Sequence, residues 1–288
     1  MEIKRIVPSG YCKGVINAID MVRKAREEYG DQKIYILGMI VHNSFVSAEL
    51  SKLGIITLDD PSKTKEELLD RIDEGVVIFT AHGIADSIKE KAIAKGLMVV
   101  DATCSDVLKT KKVVREYLEK GYDVIYFGKK GHPEAESVLS ISPAIHFISK
   151  EEDIDDLSID NGHIIVTNQT TMSFIELEDM FKKLKEKYPH CLIKEEICNA
   201  TSSRQRAVAE VKDGDVLYVV GDVKSNNTAK LADIGKHNFR KVFLISSKDE
   251  INKKDLEGQS KIYVTAGAST PPKLLDETIE YLKSIPES

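Results

Sequence analysis

Residues 99–107, Val99-Val100-Asp101-Ala102-Thr103-Cys104-Ser105-Asp106-Val107, decide the fold of this 288-residue chain. An apolar run ends at Asp101, and beyond Cys104 the residues Val107, Leu108, Val113, Val114, Tyr117 and Leu118 recur at helical spacing until Gly121. The reading is a strand, a short turn and a helix, with Cys104 at the junction. A thiol there faces the free N–H groups and the positive end of the helix dipole, which favour the thiolate, the form that binds metals or attacks electrophiles. A lone cysteine is first read as a small core residue. The same junction recurs twice. Ile3 to Val7 reads as a strand, Pro8 to Cys12 as a turn and Val15 to Tyr29 as a helix, and Leu192 to Ile197 delivers Cys198 to a helix over Ser203 to Val211.

Between these junctions, strands and helices alternate. Strands are expected at Lys33–Gly38, Val76–Thr80, Asp123–Gly128, Ile164–Thr167, Val216–Gly221 and Lys261–Thr265. Past their C-terminal ends come His42, His82, His132 with Glu134, Thr170, Ser225 with Asn227, and Ser269. The units also repeat. IYILGMIVHN, VIYFGKKGHPE and LYVVGDVKSNN align Gly38, Gly128 and Gly221 at spacings of 90 and 93, while VIFTAHG, IIVTNQTT and IYVTAGAS align Thr80, Thr167 and Thr265 at 87 and 98. Cys104 and Cys198, 94 apart, close the first two repeats, and Cys12 supplies the piece missing from the third. A permuted three-fold repeat predicts three similar α/β modules, 14–104, 105–198, and 199–288 completed by 1–13, with the three cysteines meeting at their centre. Ligands of parallel α/β sheets bind outside the strands' carboxyl ends, where these polar residues fall.

Composition narrows the function classes. Net charge is −6, with acids and bases interspersed, so neither a nucleic-acid face nor a polybasic membrane segment is present. The N-terminus MEIKRIVPSG has no apolar signal core, and runs such as Ile34 to Val41 are too short to span a bilayer, so a cytoplasmic location is expected. In that reducing compartment the four cysteines are not a disulfide framework. Cys191, in the apolar run HCLI and without a module equivalent, reads as core. Three converging thiolates would bind zinc together with a histidine, or an iron–sulfur cluster with one iron open. The surrounding histidines, hydroxyls and amides favour the open iron and an anionic, phosphorylated ligand, and no Walker pattern points to a nucleotide.

The motifs GYCKGV, VHN, TAHG, DATCS, GHPE, QTT, EEICNATSSRQ, SNN and TAGAS, in this order over nearly the whole chain, resemble the LytB-type 4-hydroxy-3-methylbut-2-enyl diphosphate reductase family of the methylerythritol phosphate route. The resemblance implies a pseudo-three-fold trefoil of α/β modules around a central four-iron, four-sulfur cluster. It implies reductive removal of an allylic hydroxyl to give isopentenyl and dimethylallyl diphosphate, with electrons from ferredoxin or flavodoxin. Carried over by position, Cys12, Cys104 and Cys198 would hold the cluster, whose open iron would take the substrate hydroxyl. His42, His82, His132, Ser225, Asn226, Asn227 and Ser269 would hold the diphosphate. Glu134 would deliver the proton, with Thr170 ordering the hydroxyl. The chain departs from the family pattern at Ser9 (usually Arg), at Ser105-Asp106 (usually Pro-Leu) and at Lys224 and Asn226 of Lys224-Ser225-Asn226-Asn227 (usually Asn-Ser-Ser-Asn). Two other readings compete: a cluster-bearing sensor without catalysis, and a zinc-dependent hydrolase of a phosphorylated substrate.

Overall fold

In the computed structural model, which describes residues 1–286, elements are numbered in chain order. The chain opens with β1 (Glu2–Arg5) and α1 (Lys13–Tyr29). There follow β2 (Ile34–Leu37), α2 (Ser44–Ser51), β3 (Ile55–Leu58), α3 (Lys65–Leu69), β4 (Val76–Phe79), α4 (Asp86–Ala94) and β5 (Met98–Asp101). The next stretch is α5 (Ser105–Glu119), β6 (Asp123–Phe127), α6 (Pro133–Leu139), β7 (His146–Ile148), β8 (Ile164–Asn168), α7 (Phe174–Lys187) and β9 (Leu192–Lys194). The last is α8 (Asn199–Ala209), β10 (Gly214–Val220), α9 (Asn226–Gly235), β11 (Phe239–Ile245), β12 (Lys261–Ala266) and α10 (Pro272–Ser284).

The strands form three four-stranded parallel sheets, in the orders β3-β2-β4-β5, β7-β6-β8-β9 and β11-β10-β12-β1. Each sheet has one topology: the first strand lies inside, the second outside it, and the chain then crosses back to add the third and fourth. The N-terminal β1 is the fourth strand of the last sheet, paired with β12 from Glu2↔Lys261 to Arg5↔Val264. β4 and β8 are buried at every position, as strands covered by helices on both faces must be. Among the helix starts, α3 is fixed by a capping box of Thr64 with Glu67.

By its contacts the chain divides into two compact units, Asn17–Val41 with Ser47–Cys198, and Met1–Ile16 with His42–Val46 and Asn199–Ser288. The first holds two of the sheets. Its cores gather Leu37, Leu68, Val77, Phe79 and Ile88 about one sheet, and Ile125, Phe127, Val166, Leu177 and Leu184 about the other. The second unit holds the third sheet, with Val216, Tyr218, Val264, Leu275 and Leu282 at its core. No helix among the described residues is long and apolar enough to cross a membrane.

The glycine register holds in all three modules. Gly38, Gly128 and Gly221 each donate a backbone hydrogen bond from the end of the first strand to the end of the second, at 2.8, 3.1 and 2.8 Å to Leu58, Ile148 and Ile245. Gly38 has a φ of +100°, which an L side chain rarely adopts, and a Cβ on Gly221 would lie 2.7 Å from Thr270 Oγ1.

Three expectations need correction. The threonine register is wrong in the first repeat. Phe79, Asn168 and Ala266 are the partners of the residues that precede the glycines, so Thr80 is equivalent to Gln169 and Gly267 rather than to Thr167 and Thr265. Its identity with those threonines is coincidental: β4, β8 and β12 end at equivalent residues, Phe79, Asn168 and Ala266, so Thr80 stands one residue past its strand while Thr167 and Thr265 stand one residue inside theirs. The helix after Cys198 begins at Asn199 rather than Ser203: apart from Ala200, residues 199–203, NATSS, are weak helix formers placed in a helix by tertiary packing. The edge strands β3, β7 and β11 were not expected at all.

Candidate active site

The three junction cysteines occupy one structural position. Each directly precedes a helix, Cys12 before α1, Cys104 before α5 and Cys198 before α8. Each backbone N–H donates back to the loop that follows the neighbouring strand: Cys12 to Ala268 O at 3.1 Å, Cys104 to Ala81 O at 3.0 Å and Cys198 to Thr170 O at 3.1 Å. All three are half-buried, whereas Cys191 is buried in the core with its thiol pushed up by burial. None of the four forms a disulfide. The Cys12 sulfur accepts from the N–H of Val15 in the first turn of α1 at 3.4 Å.

Local chemistry fixes these corners. Before Cys104, the Asp101 carboxylate accepts from the N–H and hydroxyl of Thr103 and from Lys89, which closes the turn of the DATC motif. On α5, the buried Lys111 ammonium donates to Ile84 O at 2.7 Å and pairs with Asp86, and so anchors the loop that carries His82; burial pushes its pKa down. Before Cys12, buried Arg204 donates to Gly10 O at 2.7 Å and Tyr11 O at 3.4 Å. Within EEICNATSSRQ the sequence assigns Arg204 no separate role; the only signal for it is a charged residue directly after the uncharged run Asn199-Ala200-Thr201-Ser202-Ser203.

In the unit of Cys104 and Cys198, the structure brings four expected residues together in two pairs. His82 and His132 meet edge to face with ring centroids 5.4 Å apart. His132 is the N-cap of α6: its Nδ1 accepts from the N–H of Glu134 at 3.1 Å, a role that needs the Nδ1 lone pair and leaves Nε2 to carry the proton. Glu134 therefore does not cap its helix. It is 1% exposed and turns to Thr170, whose N–H donates to Oε1 at 2.7 Å and whose hydroxyl donates to Oε2 at 2.9 Å. Burial raises the carboxyl to about 7 against these two lowering hydrogen bonds, with the Asp106 charge adding a smaller push upward. Near neutral pH the group is thus divided between acid and carboxylate. Thr170 also supplies the carbonyl that receives the Cys198 N–H, so one residue holds both acid and thiol corner.

In the other unit, Ser225 caps α9 by accepting from Thr228 N–H, and Asn226 and Asn227 form its buried first turn. Asn227 is 4% exposed, and neither its amide nitrogen nor its amide oxygen has a hydrogen-bond partner. A buried amide left so is expensive unless a polar ligand completes it. Ser269 donates to His42 O at 3.0 Å. His42 is not itself a cap: Asn43 accepts from Val46 N–H at 3.2 Å, one residue later than the repeat suggested. Ser9, where the family carries Arg, accepts from Arg5 Nε at 3.0 Å, so a guanidinium still reaches that loop.

Three parallel α/β sheets, each ending in a cysteine at a helix start, with a buried acid raised to neutrality on one of them, define a thiol-bearing α/β protein built for acid chemistry at its strand ends. Within that class the chain belongs to the LytB protein family, which it matches over residues 3–283. It is 47% identical over 98% of its length to the 4-hydroxy-3-methylbut-2-enyl diphosphate reductase of Anoxybacillus flavithermus, covering 90% of that protein. To the Bacillus subtilis protein of the same name it is 44% identical, covering 98% and 91% of the two chains. Among solved structures it resembles the E-1-hydroxy-2-methyl-but-2-enyl-4-diphosphate reductase of Plasmodium falciparum, with a TM-score of 0.91, 30% identity and 99% and 88% coverage of the two chains.

Proposed function

We infer that the chain reduces 4-hydroxy-3-methylbut-2-enyl diphosphate to isopentenyl and dimethylallyl diphosphate. The observation that carries this reading beyond kinship is the hydrogen bond repeated at Cys12, Cys104 and Cys198, which gives three thiols one chemical setting and leaves Cys191 out of it. Three half-buried thiols at helix starts suit an iron–sulfur cluster, and we assign them as its ligands, with 14–104, 105–198 and 199–288 plus 1–13 as the modules that present them. Glu287 and Ser288 lie outside the described residues. When bound, such a four-iron cluster supplies single electrons and a Lewis-acidic iron.

The chain's own residues supply the rest. In the reaction the allylic C–O bond breaks, the hydroxyl leaves as water with one proton, and two electrons and a second proton complete the new C–H bond. The Thr170 hydroxyl donates to Oε2 of the Glu134 carboxylate at 2.9 Å; once Oε2 is protonated the hydroxyl rotates to accept from the acid and donates its own hydrogen onward, so the first proton leaves through Thr170. His132, with Nδ1 occupied by its cap, offers Nε2–H to the diphosphate. His42, His82, Ser225, Asn226 and Ser269 serve the same anion, and the unpartnered Asn227 amide gains a partner when it binds. Ferredoxin or flavodoxin would deliver the electrons in a reducing cytoplasm.

Anaerobic purification followed by an assay with reduced viologen and the allylic diphosphate tests this directly. A brown protein that turns over supports it; a colourless protein with one zinc, or a brown one without turnover, refutes it. Cys104→Ser should lose most iron and Cys191→Ser none.

A further inference from the structure

Glu196 lies two residues before Cys198, and Lys109 lies one turn after Cys104 on α5. The Lys109 ammonium reaches the Glu196 Oε2 at 2.8 Å, although the two are 87 positions apart. The pair is lopsided in exposure: the lysine side chain is 63% exposed and the glutamate 3%. By contrast Asp215, Asp123 and Asp59, paired with Arg240, His146 and Lys65, are 16%, 28% and 32% exposed. The Glu196 backbone N–H donates at 3.0 Å to the side-chain oxygen of Asn168, a fully buried residue at the end of β8. Glu196 Oε1 is buried with no partner at all.

A carboxylate this deeply buried, with one oxygen unsatisfied, is a poor way to gain stability: an apolar pair of similar volume would serve the fold as well or better. What this arrangement does supply is a fixed distance. Through Lys109 it holds the helix that starts at Cys104; through Asn168 it holds the end of the strand that leads to Thr170; through its own backbone it holds the segment that delivers Cys198. These are the two cysteine corners of one unit.

We propose that Glu196 and Lys109 are positioning residues that lock the Cys104 and Cys198 thiols at the separation a bound iron–sulfur cluster requires. The inference rests on the assignment of those cysteines as cluster ligands. Outer partners of metal ligands typically change metal affinity by about 10- to 100-fold when removed.

The test is the rate at which anaerobically purified holoprotein gives up iron to a ferrous chelator, followed by visible absorption, with thermal melts of each variant alongside. Glu196→Gln and Lys109→Met should each release iron about tenfold faster than the parent. The double variant should be no faster than either single one, because the pair acts as a unit. Ile154→Val, a cavity in the core of the same unit, is the control for lost stability without a lost lock. Iron release at the parental rate in both variants would overturn the proposal, and so would rates that only track the melting loss as Ile154→Val does. Lys109 is largely exposed, so Lys109→Met keeps the test alive if Glu196→Gln does not fold. A parent protein that holds no iron would instead overturn the ligand assignment itself.

Discussion

Glu134 and Asn227 are both polar side chains buried to within a few per cent, 1% and 4% exposed, yet they are finished differently. Both oxygens of Glu134 are held by Thr170, and burial has already set its proton affinity near neutrality. Both polar atoms of Asn227 are left without a partner. The acid is prepared in advance, whereas the amide is complete only with something bound. Proton transfer needs a group whose geometry and pKa are fixed before the substrate arrives, and recognition of an anion rewards groups whose hydrogen bonds are kept for it.

The sharpest way to break the comparison is Glu134→Gln. The amide keeps the shape and can still meet Thr170, but it carries no transferable proton. Turnover should fall by about 10²- to 10⁴-fold with cluster content and substrate affinity near normal. Normal turnover would mean that another group is the donor. The parent should also lose activity as pH rises through about 7, where the carboxyl ionises, and Glu134→Gln should lack that limb.

The second effect is on stability and has a definite sign. Glu134 titrates near its ordinary 4.5 when unfolded and at about 7 when folded, so between those values the folded chain holds more protons. Its contribution is therefore neutral below about pH 4.5, grows unfavourable up to about pH 7 and stays constant above, reaching about 3 kcal/mol. Denaturant unfolding of parent and Glu134→Gln across this range should show the variant gaining relative stability as pH rises. A constant difference would place the carboxyl in water.

Asn227→Leu should act in opposite directions on binding and folding. It removes a buried amide with no partner, so the ligand-free protein should melt no lower than the parent. The same change should raise the substrate KM about tenfold, since a hydrogen bond to a charged group contributes roughly 1.5 to 3 kcal/mol. A lower melting temperature with unchanged KM would make the amide part of the fold instead.

The chain order of chemistry was legible and the cross-chain pairing was not. Cys12, Cys104 and Cys198 could be read because a strand, a turn and a helix leave a periodic trace on either side of each. β3, β7 and β11 left none: two of them are only four and three residues long, and all three lie at sheet edges, where half-exposed positions blur the pattern. The Glu134–Thr170 pair spans 36 positions, and its partners meet only because β6 and β8 are neighbours. Lys109 and Glu196 were hidden for the same reason. His42 keeps the register of His132, four residues past its glycine, but not the capping role, which falls one residue later on Asn43, a better cap by side-chain chemistry.

The smallest expected effect tests how closed the acid's environment is. Asp106 stands exposed in the first turn of α5, its Oδ2 3.9 Å from the Cys104 sulfur, and its charge is the lesser of the two influences that raise Glu134, behind burial. The family usually has Leu there, so Asp106→Leu restores a common residue and removes one negative charge without touching Glu134 or Thr170. Ionised Glu134 is then repelled less, and its pKa should fall. The alkaline limb of turnover should move to lower pH by less than about one unit, because exposed charges act through a high effective dielectric. Burial remains, so the limb should stay well above the ordinary carboxyl range. A profile of kcat from about pH 5.5 to 9 reads this, and the shift should shrink in high salt, as screening of a surface charge demands. A limb that moved upward, or a shift indifferent to salt, would show that Asp106 acts through the shape of the Cys104 corner and not through its charge on the buried acid.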